Sequence, residues 1–114
     1  MDALNMRRPT GNGKGNAMPI YVTLLHYTER GVHHVKDTVK REEAFKSRAK
    51  KHGVTVKEAI WTLGAHDGVL VFEAPDDETA TAIILSAEEL GNIRTETMRG
   101  FTAAEMEKLL AKVD

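Results

Sequence analysis

The sequence contains no cysteine. This absence excludes disulfides, a thiolate nucleophile and any metal or iron–sulfur site built on cysteine. The sequence also has no hydrophobic run near the ~20 residues of a membrane span. The first residues, 1–17, lack the apolar stretch of a secretion signal. We therefore expect a soluble protein of the reducing cytoplasm that does not insert into a membrane.

A strong charge of one sign is also missing. The formal net charge is −1, with 16 basic and 17 acidic residues, so the whole chain has no electrostatic attraction to nucleic acid or anionic lipid. A basic segment at 40–51 and the string Arg99-Gly100-Phe101 resemble nucleic-acid-binding features in part. However, Glu42 and Glu43 dilute the basic segment, and the further aromatic residues of an RNA-recognition strand are absent. The expectation is a solvated helix face and no nucleic-acid partner.

Motifs for cofactors and metals are lacking as well. The sequence has no phosphate-binding glycine loop after a strand, no dinucleotide fingerprint and no Ser-His-Asp order. His33 and Asp37 are four residues apart, and on a helix this spacing places two possible metal ligands on one face. No third ligand follows from the spacing. We therefore expect no resident metal and no cofactor.

The length of 114 residues suits one domain with one modest core. Residues 1–17 are rich in glycine and asparagine and have little to bury, so a flexible N-terminal tail is predicted there. The single domain is then expected at 18–114.

Hydrophobic periodicity and turn residues predict six elements and a C-terminal helix. A short polar pair, Asp37-Thr38, is expected to interrupt the first helical segment and to cap a new helix. Asp67-Gly68 is predicted to form the hairpin turn with positive φ values. In chain order the elements are a strand at 19–27, a helical segment at 30–52, strands at 54–63 and 68–74, a helix from Asp76 to Leu90, a strand at 92–101, and a helix beginning at the capping box Thr102-Ala103-Ala104-Glu105.

This order predicts an α+β protein with a ferredoxin-like βαββαβ antiparallel sheet, helices on one face and an added C-terminal helix. The first and third strands should be central. Both have apolar residues on both faces, yet the two helices cover only one face. Either the C-terminal helix or a second copy of the chain must cover the other face, and we favour a face-to-face homodimer, which a larger homo-oligomer could contain.

Several strings together resemble the GYD-domain family, which is named for a Gly, Tyr and Asp grouping at the hairpin. They are MPIYVTLLHYT from Met18, TLGAHD from Thr62, VFEAPDD from Val71 and LGNIRTETMRGFT from Leu90. The resemblance implies a small bacterial or archaeal protein with a ferredoxin-like fold of the dimeric α/β-barrel type, and it implies no established activity. The chain departs from the family pattern at His66, where tyrosine is usual, and at Val39, where proline is frequent.

Three residues are candidates for catalysis. His66 and Asp67 lie at the hairpin, and His26 lies at the end of the first strand. An imidazole suits proton transfer near neutral pH, and a carboxylate can orient it. The alternative is that Asp67 belongs to a turn and His66 is a solvated loop residue.

Four residues are candidates for ligand binding. Tyr21, Tyr27 and Trp61 can form an aromatic wall for a small planar molecule, and Arg94 can place a positive charge opposite a ligand carboxylate. The alternatives are packing in the core or the dimer interface for the aromatic residues, and a dimer seam or a solvated edge for Arg94.

The function expected from these features is an oligomeric small-molecule-binding or regulatory module, with a small organic ligand. One alternative is a cofactor-independent enzyme for an oxidation or isomerisation, with a histidine as general acid and base. A second alternative is a structural assembly unit without a ligand. The sequence does not decide whether the protein is an enzyme.

Overall fold

The computed structural model describes residues 18–114. The predicted tail at 1–17 lies outside the described residues. Within residues 18–114, four strands and four α-helices follow in chain order: β1 Ile20–Tyr27, α1 Glu29–His33, α2 Thr38–Lys51, β2 Thr55–Trp61, β3 Gly68–Glu73, α3 Asp77–Glu88, β4 Ile93–Gly100 and α4 Ala103–Leu110. A short 3-10 helix, Val35–Asp37, joins α1 to α2. Each predicted element is present, with ends that shift by one or two residues.

The strands form one antiparallel sheet in the order β2-β3-β1-β4. The first and third strands are therefore central, as predicted. The chain is an α+β protein with a four-stranded antiparallel sheet and helices. The buried residues of the sheet lie on these two strands, because each of them has a neighbouring strand on both sides.

The two faces of the sheet have different environments. On the helix face, Tyr21 and Thr23 of β1 lie opposite Phe72 and Leu70 of β3, and all four are buried. Residues of α2 and α3 complete this core, with Phe45, Ala49, Ala80, Ile83 and Ile84. On the opposite, open face, the central residues Ile20, Val22, Leu24, Val69 and Val71 are only partly buried. The sheet is thus apolar on both sides, as predicted.

An irregularity in β2 decides which of its residues lie on the helix face. Val56 pairs with Phe72, but the next pair is Glu58 with Val71, so Lys57 is an extra residue in a β-bulge. After the bulge, Ala59 and Trp61 share the face of Leu70 and Gly68, which is the helix face. Trp61 therefore lies on the same side as α2.

The predicted hairpin turn was wrong in its details. Gly68 belongs to β3, and its φ is not positive. The connection takes its positive φ at Gly64, where φ is 129°. Asp67 extends the ladder instead, because its amide donates to the Leu25 carbonyl at 2.8 Å. An Asp-Gly pair permits a tight turn, but pairing with a central strand was the stronger constraint here.

The prediction that Asp37 caps α2 was wrong. Asp37 precedes α2, but its side chain makes no capping hydrogen bond. The capping box of α4 is confirmed, because the Thr102 hydroxyl accepts from the Glu105 amide at 3.2 Å and the Glu105 carboxylate accepts from the Thr102 amide at 2.9 Å.

No residue of α4 is buried, and its apolar stripe is exposed or half-buried at Met106, Leu109, Leu110 and Val113. Helix α4 therefore does not supply the cover that the open face lacks within one chain.

Candidate functional site

Two of the predicted aromatic residues converge on the first residue of α2. The Tyr27 hydroxyl and the Thr38 hydroxyl are 2.9 Å apart, and the Trp61 indole nitrogen donates to the same Thr38 oxygen at 3.3 Å. This contact joins the ends of β1 and β2 to α2. Tyr27 and Trp61 thus share a face, which the prediction left open.

Tyr21 lies on the same face but at the other end of β1. Its hydroxyl donates to Asp77 Oδ1 at 2.5 Å, and its ring stacks on Phe72 with 5.3 Å between ring centres. Burial, followed by the hydrogen bond to Asp77, raises the pKa of Tyr21 to about 12. Tyr21 therefore fixes the start of α3 against the sheet and does not join Tyr27 and Trp61.

The two candidate histidines contact each other. His66 Nδ1 lies 3.0 Å from His26 Nε2, and the ring centres are 4.6 Å apart. Asp67 does not orient His66. One of its carboxylate oxygens accepts from the Tyr27 amide at 2.8 Å. The partner of His66 is thus a second imidazole, and Asp67 holds the ends of β1 and β3 together.

Arg94 lies apart from the aromatic residues. It is opposite His26 in the pairing of β1 with β4, so both residues are on the open face. The structure therefore divides the predicted ligand-binding set, with Tyr27 and Trp61 on the helix face and Arg94 on the open face.

A cavity of about 140 Å³ lies between the helix face of the sheet, α2 and α3. We call it the helix-side cavity. Its walls are mainly apolar, and Trp61 and Thr38 stand among them. Its apolar lining includes Leu25, Phe45, Leu70, Ile84 and Ala87, and its polar lining includes Arg41, Glu42, Arg48 and Asn92.

The polar side chains of this cavity were not predicted as site residues. Arg41, Phe45 and Arg48 follow each other at spacings of four and three, so they share one face of α2. That spacing is the signal that could have indicated them. Their charge favoured instead the interpretation of a solvated face, because Arg and Lys are rarely buried.

Hydrogen bonds fix only part of this polar group. Arg41 Nη1 donates to the His34 carbonyl at 2.9 Å, while Arg41 Nη2 is buried without a hydrogen-bond partner. Glu42 Oε2 lies 4.0 Å from Lys46 Nζ, which is an ion pair but too long for a hydrogen bond. Arg48 Nε and Asn92 Oδ1 are also buried and unpaired within the part of the chain that the structure describes. All four atoms belong to residues that line the cavity.

Asn92 is held in place by the segment around α1. Its carbonyl accepts from the Thr28 amide at 3.0 Å, and the Thr28 hydroxyl donates to the Gly91 carbonyl at 2.5 Å. The backbone of Gly31 packs so closely against this carbonyl that a Cβ there would lie 2.0 Å from the Asn92 oxygen. The position of Asn92 at the cavity therefore depends on a glycine in α1.

Within residues 18–114, no group of three or more His, Asp or Glu side chains is arranged to hold a metal ion. His33 and Asp37 thus gain no third ligand among these residues. Over the same residues, no helix combines the length and apolar character needed to cross a membrane.

Comparison with known proteins gives one assignment. The GYD domain matches residues 21–110, which cover β1 from its second residue, the other three strands and most of the chain. No curated protein matches the chain. The match includes β1, both hairpin strands and the segment that carries Arg41 and Arg48. This chain belongs to the GYD domain family.

Proposed function

We propose that this protein is an oligomeric small-molecule-binding module and that its ligand occupies the helix-side cavity. The proposal rests on a cavity of about 140 Å³ with mainly apolar walls, whose lining residues include four buried polar atoms without a hydrogen-bond partner. Binding sites for small molecules typically combine apolar surface with a few polar groups that fix orientation. Burial of polar atoms without partners costs stability, so a ligand that pairs them stabilises the folded state.

The proposed site differs from the one expected from the sequence in its polar residues. Trp61 belongs to it, and Tyr27 supports it through the shared contact with Thr38. Tyr21 and Arg94 do not line it. A ligand in this cavity would contact the only tryptophan of the chain, so Trp61 fluorescence reports binding directly.

The test uses a library of small organic compounds, with thermal unfolding and Trp61 fluorescence as readouts. A compound at a hundred times its Kd stabilises the folded state by about 2.7 kcal/mol. Ala87→Phe should fill the cavity and abolish that stabilisation. Ala82→Phe is the matched control, because Ala82 lies exposed on the same helix and does not line the cavity. Equal stabilisation of both variants would exclude the helix-side cavity as the site.

A second part of the proposal concerns the fold and the open face. We infer a ferredoxin-like subunit that forms a homodimer of the α/β-barrel type, in which a second copy covers the open face. This face combines partly buried valine, leucine and isoleucine with exposed Ile60 and Met98. It also carries Arg94 and Glu96, so two identical faces can offer opposite charges to each other.

Sedimentation of the dilute protein tests the dimer. Val71→Glu, at the centre of the open face, should convert dimers to monomers, because a buried carboxylate without a partner opposes association. Leu85→Glu changes an exposed residue of α3 and should leave the dimer intact. A wild-type chain that sediments only as a monomer would contradict this part of the proposal. We also propose that the protein is located in the cytoplasm.

The enzyme alternative has one observation in its favour, the 3.0 Å contact between His26 and His66. An imidazole can accept and release a proton, as a general acid or base must, and a neighbouring imidazole can position it. Neither histidine lines the helix-side cavity, however, so we favour binding over catalysis. His26→Gln and His66→Gln test this choice. Unchanged ligand affinity together with lost turnover would establish the enzyme, whereas the binding module predicts unchanged affinity and no turnover in the wild type. A library that never stabilises the protein would favour the assembly unit.

A further inference from the structure

The unpaired atoms of the helix-side cavity are of two kinds. Arg41 Nη2 and Arg48 Nε are donors, while Glu42 Oε2 and Asn92 Oδ1 are acceptors. Most buried polar side-chain atoms in folded proteins have a hydrogen-bond partner, either protein or ordered water. Four atoms without a protein partner around one cavity show that its polar lining offers both donors and acceptors to a ligand. It needs acceptors for the two arginines and a donor for the glutamate or the asparagine.

The charge of the site specifies the acceptor. Over residues 18–114 the side-chain ion pairs are Lys46–Glu42 and Arg99–Glu105, so neither Arg41 nor Arg48 has a carboxylate partner there. Arg41 and Arg48 are half-buried, and partial burial of a guanidinium without a counter-ion costs stability. Two guanidinium groups in one cavity lining can bind the two oxygens of a single carboxylate. The second negative charge of a phosphate would meet the Glu42 carboxylate, which lines the same cavity.

The size of the cavity limits the rest of the ligand. A dry apolar cavity of about 150 Å³ accepts benzene, and the helix-side cavity is close to that volume, at about 140 Å³. Leu25, Phe45, Leu70, Ile84 and Ala87 give it apolar walls. One ring fits such a space, whereas a dinucleotide or a lipid chain does not.

We propose that the ligand is a small monocyclic monocarboxylate that carries a hydroxyl group. Its carboxylate accepts from the guanidinium groups of Arg41 and Arg48, its ring packs against the apolar walls, and its hydroxyl donates to the side chain of Glu42 or Asn92. This inference rests on the proposed function, because it uses the same cavity and names the chemical class that the cavity selects.

The first experiment compares three probes on the wild-type protein by Trp61 fluorescence and calorimetry. The probes are para-hydroxybenzoate, its neutral analogue para-hydroxybenzamide, and benzoate, which lacks the hydroxyl. Charge-assisted hydrogen bonds should make para-hydroxybenzoate bind ~10- to 100-fold more tightly than the amide, and the missing hydroxyl should weaken benzoate by about tenfold. This comparison needs no variant and is independent of any folding defect.

The second experiment changes the arginines. Arg41→Met and Arg48→Met should each weaken para-hydroxybenzoate binding ~10- to 100-fold and change the amide by less than about threefold. Arg48→Lys keeps a positive charge and should lose less affinity than Arg48→Met. Lys50→Met is the matched control, since Lys50 is exposed on α2 and does not line the cavity. Circular dichroism and thermal unfolding show which variants are folded.

The outcomes separate the two proposals. If the amide binds as tightly as the carboxylate and competes for the same site, the carboxylate inference is wrong while the binding function stands. If no probe of the three binds, this inference is also wrong, and the library with Ala87→Phe then decides the proposed function alone. Equal losses in Arg48→Met and Lys50→Met would likewise overturn the inference, because a general charge effect would explain both.

Discussion

Replacement of Gly31 by alanine offers a sharp test of how α1 holds the cavity. Gly31 is buried in α1, and its φ lies outside the positive range, so its backbone conformation suits any residue. By helix propensity alone, alanine should stabilise this position by about 1 kcal/mol. The structure predicts the opposite sign, because a Cβ at residue 31 would lie 2.0 Å from the Asn92 carbonyl oxygen and 3.0 Å from its carbon.

The size of the effect follows from this distance. Carbon and oxygen atoms approach to about 3.3 Å even in close C–H···O contacts, so α1 and the Asn92 backbone must separate by about 1.3 Å. Overpacking of this kind costs about 1–3 kcal/mol, and the upper end applies because the obstacle is backbone. The same movement stretches the hydrogen bond from the Thr28 amide to the Asn92 carbonyl, worth about 1 kcal/mol. After the gain in helix propensity, the net loss is about 2–3 kcal/mol.

Urea unfolding followed by Trp61 fluorescence measures this loss, and Tm should fall by roughly 10 °C or more in a domain of this size. Gly53→Ala is the matched control. Gly53 has a positive φ of 76° and no atom within 4 Å of an added Cβ, so it should lose only the ~1 kcal/mol of left-handed strain. We expect Gly31→Ala to be the less stable of the two. A Gly31→Ala protein as stable as the wild type would refute the reasoning.

Two further predictions concern hydroxyl groups on the helix face. Thr38→Val removes the oxygen shared by Tyr27 and Trp61 and should lower the free energy of unfolding in urea by about 1 kcal/mol. The loss is no larger because the half-exposed Trp61 can donate its hydrogen bond to water instead. An unchanged unfolding midpoint would show that the contact contributes nothing. Tyr21, hydrogen-bonded to Asp77, has a pKa raised from 10.0 to about 12, so the folded state keeps a proton that the unfolded state loses in that range. The stabilising effect of the Tyr21 hydroxyl is complete below pH 10 and is lost as the pH rises towards 12. The difference in unfolding free energy between wild type and Tyr21→Phe should therefore shrink over that range. A constant difference would contradict the raised pKa of Tyr21.

Much of the fold was predictable because it depends on local patterns. Runs of β-branched and aromatic residues predicted β1 and β3, and the helical spacing of Ile83, Ile84 and Ala87 predicted α3. The capping box at Thr102 and Glu105 was confirmed atom by atom. These signals act over a few residues, so they can be read without knowledge of tertiary contacts.

The hairpin shows where a prediction from local sequence fails. Asp67-Gly68 has the composition of a tight turn, yet both residues continue the pairing with β1. The competing contact is Leu25, which is more than forty residues away in the chain. The composition of Asp67-Gly68 permits a tight turn. Pairing with β1 determined its actual conformation.

The candidate site was harder to predict for a related reason. Arg41 and Arg48 are basic residues in a helix rich in lysine, and such residues are usually solvated. They become half-buried only because α2 packs over a sheet whose edge leaves a cavity there. Burial of this kind is a property of the assembled layers, so only the spacing with Phe45 indicated it in the sequence.

The bulge at Lys57 connects the fold to the proposed function. Without the extra residue, Ile60 would lie opposite Gly68 on the helix face, and Trp61 would point to the open face, because a shift of one residue reverses every side chain of a strand. With the bulge, Trp61 reaches Thr38 and lines the cavity, while Ile60 is half-exposed on the other side. One inserted residue therefore supplies the aromatic wall of the cavity and an apolar residue of the open face together. The ligand site and the surface proposed for a second copy thus share one structural cause, so deletion of Lys57 should change the cavity and the open face together.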